Sequence, residues 1–386
     1  MTAWRVRVAM ALAVAALAAS LSVRASGQQS APYPGVLDEH PAIQYDTRPT
    51  RDPVARLNET LRGGVRTLAH EDGTGYLRSV LAALAVPTES QVLVFSKSGI
   101  QRAFTSPENP RALYYNPAVV IGYIPGAPLL EIAAQDPQQG TIFYTLDQGA
   151  TGEPRFVRGS TCLTCHVSAS TLDVPGTIAR SNRVSEDGSL LLRAGPSITV
   201  NHRTPHTQRW GGWFVTTSLS TPPYQQLGHL GNLTIAAYPG DDGPAIVSNR
   251  ALVRWLDSAP ESRGYLSSVS DLAALLVFDH QIHAMNLLTR LNWEWRIAAT
   301  EGRARVSDAV IGQRPDELAD YLVFVDEATP VVEVTPRAGF AARLAAAVPK
   351  DRHGRSLADL NLATRLMRYP LSYMVYSEAF DGLPAE

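Results

Sequence analysis

Between residues 91 and 148 the apolar positions come in short β-branched or aromatic runs. Val92-Leu93-Val94-Phe95 and Ala112-Leu113-Tyr114-Tyr115 are followed by runs at 119–124, 129–133 and 141–146. Turn residues such as Pro125-Gly126 and Gln139-Gly140 separate them. Short runs bounded by Pro, Gly, Asn and Asp predict strands joined as an antiparallel meander. Residues 136–140 form the clearest hairpin turn. The period changes in the last third, where apolar residues over 270–298 recur every third or fourth position. Ser270 and Asp271 stand at the start of that segment, where a short polar side chain caps a helix. Further helices are expected over 249–256, 315–325, 337–348 and 356–367. Strands are expected over 213–217 and 233–238. Residues 30–60 carry Pro32, Pro34, Pro41, Pro49 and Pro53 and predict an extended arm. A helix over 58–80 is weakened by Gly63, Gly64, Gly73 and Gly75. Strands first and helices last predict an α+β fold, with an antiparallel β-rich N-terminal half and a helical C-terminal third.

The first residues carry a different pattern. Arg5 and Arg7 precede an apolar stretch over residues 8–23, and Val23-Arg24-Ala25 offers a small-x-small cleavage site. That is the layout of a secretory signal over residues 1–25. The stretch is only about 15 residues and Ala-rich, against the ~20 that cross a bilayer. No other segment reaches that length. The chain is therefore expected to be exported, periplasmic and not integral to the membrane. Its net charge of −2 argues against a nucleic-acid partner.

The chemistry concentrates in Cys162-Leu163-Thr164-Cys165-His166. The chain has two cysteines in all, and both are in this motif. Two thiols two residues apart, followed directly by a histidine, form the attachment site of a c-type haem. Each thiol adds across one porphyrin vinyl group, and the histidine lies under the iron as the proximal ligand. A zinc site would need a second cysteine pair, or His202, His206 or His229, to complete it. A thioredoxin-like redox pair needs a βαβ context, which the flanks do not supply. A disulfide across two residues is strained. Export and covalent haem agree with each other, and the reading is one haem c per chain, at the junction of the β-rich and helical parts. Residues 26–150 then form the arm and β-rich region, 151–245 the haem-attachment region, and 246–386 a helical region packing on the haem. This is not the small all-α cytochrome c layout, in which the motif lies near the N-terminus.

The sixth iron ligand decides the function. At about 100° per residue, His280 shares its helix face with Leu276, Val277, Leu287, Leu288, Leu291, Trp295 and Ala298. His283 lines up instead with Asp279, Asn286, Arg290 and Glu294, a polar stripe expected to face solvent or an ion-pair ladder. His280 is thus the first candidate distal ligand, with a hydrogen-bonded core histidine as the alternative. His202 is the second, just ahead of Arg209-Trp210-Gly211-Gly212-Trp213. That segment reads as a glycine-kinked strand whose indoles, Trp210 and Trp213, either wall a haem pocket or fill a core. Arg203 and Arg209 are candidates for the haem propionates, with Arg158, Arg180 and Arg183 behind them. His229, Met285, Met367 and Met374 are weaker axial candidates. A carbonyl near Pro175-Gly176 is placed to accept the Nδ1–H of His166.

Several of these segments occur together elsewhere. Pro110-Arg111-Ala112-Leu113-Tyr114, the haem motif, Arg209-Trp210-Gly211-Gly212-Trp213, Asp279-His280-Gln281 and Arg368-Tyr369-Pro370-Leu371-Ser372-Tyr373 together resemble a family of exported bacterial c-type cytochromes without an assigned reaction. The resemblance covers most of the chain after the signal. It implies haem binding and electron transfer, and no substrate.

The sequence thus predicts an exported monohaem c-type cytochrome that passes single electrons to a periplasmic redox protein or complex. The alternative is a c-type haem enzyme of peroxidase or reductase character, or a haem sensor, with an open distal site. The chain is longer than a simple shuttle requires, which favours that alternative.

Overall fold

A computed structural model of the chain describes residues 38–149, 153–185, 187–191, 197–214, 263–302, 315–330 and 339–384. In chain order the helices and strands are α1 (Pro53–Arg62), α2 (Leu77–Ala83), β1 (Val92–Val94), β2 (Arg111–Tyr115), β3 (Val119–Tyr123), β4 (Leu129–Asp136), β5 (Gly140–Asp147) and β6 (Val157–Arg158). There follow α3 (Leu163–His166), β7 (Arg180–Ser181), β8 (Ile198–Thr199), β9 (Trp213–Phe214), α4 (Leu272–Thr300), α5 (Pro315–Leu322), α6 (Phe340–Ala347) and α7 (Glu378–Asp381). The fold is α+β, as the pattern of runs predicts.

The centre is a seven-stranded antiparallel sheet of order β6-β5-β4-β3-β2-β1-β9. Six strands follow the chain as a meander, and β9 returns to pair Phe214 with Leu93 at the far edge. The β4–β5 hairpin closes at Asp136 and Gly140. There the Asp136 carboxylate accepts from the amides of Gln138 and Gln139, and Gly140 takes φ +81°. Only glycine adopts such a backbone without cost.

Both faces of the sheet are covered, and the side chains alternate between them. Leu93, Ala112, Tyr114, Ile121, Ile132 and Tyr144 pack with α1 and α2. Val92, Val94, Tyr115 and Val120 face the other way, into the core built on α4. The arm before α1 is fastened to the sheet, with the Tyr45 hydroxyl donating to the Thr141 carbonyl at 2.6 Å.

The long helix starts where its cap predicts, with the Asp271 side chain accepting from the Ala273 amide at 2.8 Å. Its polar stripe departs from expectation. Asp279, Asn286, Arg290 and Glu294 are all buried, and His283 is half-buried. Trp295, expected on the core face, is exposed. The helix is enclosed on nearly all sides, so shared facing did not reveal which side meets water.

Three further helical expectations change. The segment expected as one helix over 58–80 is split, with α1 ending at Gly63 and α2 beginning at Leu77. Residues 356–367 are not helical. The Asn361 side chain accepts from the amides of Ala363 and Thr364, Leu362 takes φ +60°, and Leu360 bridges to Met367. Side-chain capture of those amides competes directly with a helix. The arm expected over 30–60 already turns helical at Pro53. The helix expected over 249–256, the strand over 233–238 and residues 215–217 lie outside the described residues. No helix among the described residues is long and apolar enough to cross a membrane.

Candidate functional site

The motif residues occupy a single helical turn, α3, closed by the His166 amide donating to the Cys162 carbonyl at 3.0 Å. Residues three apart on such a turn share a side, which is the placement two thioether bonds require. Both cysteines are free thiols, Cys162 half-buried and Cys165 exposed. Burial pushes the Cys162 thiol above its ordinary pKa. A redox-active pair needs the opposite shift. No cluster of three or more His, Cys, Asp or Glu ligands forms among the described residues, and His229 lies outside them.

The His166 ring is fixed by its own loop. Its Nδ1 lies 2.8 Å from the Gly176 carbonyl oxygen, and the Gly176 amide donates back to the His166 carbonyl at 3.0 Å. A carbonyl only accepts, so Nδ1 carries the proton and Nε2 keeps its lone pair when the ring is neutral. Burial lowers the imidazole pKa, partly offset by the Gly176 carbonyl, so the neutral form is favoured. Phe143 of β5 packs beside the ring, with centroids 4.8 Å apart. Free thiols on one turn and a neutral histidine with Nε2 available fit the attachment of haem c.

The buried stripe of α4 holds this loop. Arg290 donates to the Leu172 carbonyl at 2.6 Å and pairs with Glu294 at 2.5 Å, and the Asn286 amide donates to the Thr177 carbonyl at 2.9 Å. A Cβ on Gly176 would lie 2.2 Å from the Asn286 Oδ1. Glycine at that position lets helix and loop touch.

His202 and His280 belong to a second buried group. Their Nδ1 atoms are 2.7 Å apart, and the His280 Nε2 is 2.7 Å from the Ser372 hydroxyl. Tyr321 stacks on both rings and donates its hydroxyl to the His280 carbonyl at 3.1 Å. Among the described residues no hydrogen bond or ring contact joins either histidine to His166. The sequence-nominated axial ligands are thus brought to each other, with both nitrogens of His280 already engaged.

The arginines are likewise engaged. Arg209 is buried, donates to the carbonyls of Thr204 and His202, and faces Asp279 at 3.7 Å. Arg203 pairs with Glu317 at 2.6 Å, and Arg158 donates to the Tyr45 carbonyl at 2.5 Å. Arg180, near enough to act on the His166 charge, donates to the Ser170 hydroxyl at 3.2 Å. Arg183 is buried. Trp210 and Trp213 are core residues, and the Trp213 indole donates to the Arg180 carbonyl at 2.8 Å. The glycines between them permit close backbone approach, since a Cβ on Gly211 would meet the Asn182 carbonyl at 2.3 Å. Met285, Met367 and Met374 fill the core on α4. His229 lies outside the described residues.

Sequence reasoning missed Ser372 and Tyr321 as partners of the histidines. Ser372 sits in a segment that the family resemblance had already marked. Three such segments, around residues 209, 280 and 372, meet in this one buried group. Comparison with known protein families, with characterised proteins and with solved structures finds no match.

Proposed function

We propose that this chain is an exported c-type cytochrome carrying one haem, bound through Cys162 and Cys165 and ligated by His166, that passes single electrons to a periplasmic redox partner. The observation that carries the reading is the 2.8 Å contact of His166 Nδ1 with the Gly176 carbonyl, on the turn that bears both thiols. It orients the imidazole and presents Nε2 to a metal, the usual support for a ligating histidine. The haem would supply the one-electron couple, and the chain supplies attachment, orientation and burial. Arg111 and Arg180 both act on the His166 charge, and because Arg111 is paired with Glu131 at 3.1 Å, Arg180 is the first candidate for a propionate.

A second reading follows from His280. With both of its nitrogens hydrogen-bonded and His202 turned towards it, neither histidine is offered to His166. That favours an iron with an open distal position, as in a haem enzyme or sensor.

Expression with covalent haem attachment and haem staining of a denaturing gel tests the core of the reading. Stain is expected in the native chain, located in the periplasmic fraction, and lost when Cys162 and Cys165 are both changed to Ala. Stain retained in that variant, or absent from the native chain, sinks it. Carbon monoxide then separates the two readings, since an unmoved ferrous spectrum means two protein ligands and a shifted one means an open site.

A further inference from the structure

The buried pair of His280, on α4, and His202, in the loop before β9, ends in an unused group. His202 is 2% exposed, its Nδ1 is committed to His280, and its Nε2 is buried without a hydrogen-bond partner. The same ring lines a cavity of about 10 Å³, together with His206, Arg209 and Glu327, and with Leu276 and Leu366 on its apolar walls. Leaving a buried polar group unpaired costs about 1–3 kcal/mol. A cavity of that size, roughly one probe sphere, holds one water when polar partners surround it.

The protons along the chain are fixed by counting donors. The Ser372 oxygen accepts from the Met374 amide at 3.1 Å and faces His280 Nε2 at 2.7 Å. Among the described residues its hydroxyl proton has no other acceptor, so it is donated to His280 Nε2. A neutral His280 then carries its proton on Nδ1 and donates to His202 Nδ1. His202 therefore carries its proton on Nε2, a buried N–H without a partner on a ring that lines the cavity. A water oxygen there can accept from His202 and donate to the Glu327 carboxylate, which also lines the cavity.

We infer that this cavity is a built binding site for a single water, held between the His202 Nε2–H and Glu327, at the end of a donor chain running Ser372 to His280 to His202. The role assigned to the two histidines is thus to hold water, not iron, and it stands whether or not haem is attached at Cys162 and Cys165. The cavity is too small for a hydrated ion, and beside His202, His206 and Glu327 its lining carries the Arg209 guanidinium, which repels a cation.

Long-range proton–nitrogen NMR of the imidazoles in the full chain reads the tautomers directly. His280 is expected in the uncommon form protonated on Nδ1, and His202 in the form protonated on Nε2. The His202 Nε2 proton is expected to show a cross-peak to water. A His280 protonated on Nε2, or no water cross-peak at His202, overturns the inference. A crystal structure gives an independent check. Single-atom density within hydrogen-bond distance of His202 Nε2 and without anomalous signal is expected. An empty cavity, or an anomalous peak from a metal at that position, overturns it equally.

Discussion

Asn286 on the long helix donates its side-chain amide to the Thr177 carbonyl, at 2.9 Å, one residue beyond the glycine that orients His166. Helix and haem-motif loop are therefore in direct contact, with no room for a side chain between them.

Replacing Gly176 by Ala tests that contact. The new Cβ would fall 2.2 Å from the Asn286 Oδ1 and 3.2 Å from the Thr171 Cβ. Overpacking of this kind costs about 1–3 kcal/mol. Urea denaturation should show that loss, and Asn286→Ala in the same chain should recover part of it. If Gly176→Ala is neutral, the loop does not bear on the helix as described.

The buried Arg209–Asp279 pair predicts a larger effect. Truncating Asp279 to Ala leaves a guanidinium buried opposite an empty space, and breaking such a pair costs about 3–5 kcal/mol. Burial also pushes Asp279 from 3.8 up to about 7, with Arg209 pulling the other way. A raised carboxyl binds its proton more tightly in the folded state. Its contribution is therefore complete below pH 3.8 and is lost as the pH rises towards 7. Asp279→Asn should flatten the stability curve across that window in denaturation series at several pH values.

The buried histidines act with the opposite sign. Burial lowers His206 from 6.5 to about 3, reinforced by Arg209, and lowers His283 to about 4. A depressed imidazole is neutral in the folded state while the unfolded chain takes up a proton. Stability is complete above pH 6.5 and falls as the pH drops towards those values. Each such group contributes up to about 1.4 kcal/mol per pH unit. His206→Gln should reduce the acid slope by one proton, read from the midpoint at pH 5 against pH 7.

Ser372 joins the Met374 amide to His280 and should matter more than an isolated serine. Ser372→Ala removes both bonds, and loss of a capping hydroxyl alone costs about 0.5–2 kcal/mol. Thermal unfolding should show a loss at or above that range, and no change would mean that the hydroxyl is not engaged.

The sheet was legible because each strand is short and bounded by residues with a fixed backbone habit. The Asp136 carboxylate and the positive φ of Gly140 are local chemistry and show in the sequence. The start of α4 was legible at Asp271 for the same reason. What covers the faces of α4 was not. Period places Asp279, Asn286, Arg290 and Glu294 together, but only the loop over 172–177 and Arg209, brought up by the fold, make that stripe an interior one. The turn at Asn361 was missed because the apolar spacing over 356–367 suits a helix. Glu327, far away in sequence, takes the Leu366 amide at 2.5 Å. At the candidate site, the spacing of the motif and the Gly176 carbonyl could be read from neighbouring residues. The meeting of His202 with His280 could not, because it joins segments with no sequence relation.

The placement of β9 and α4 has a consequence for how the chain acquires its shape. The meander can form as soon as residue 158 is available, but the strand that closes its far edge is Trp213–Phe214 and the helix that covers its second face begins at Leu272. Until those late residues arrive, one edge and one apolar face of the sheet stand open, which is the condition under which nascent chains stick to one another. Completion of this molecule is therefore a long-range event, and its slow, vulnerable stage is the wait for its own last third.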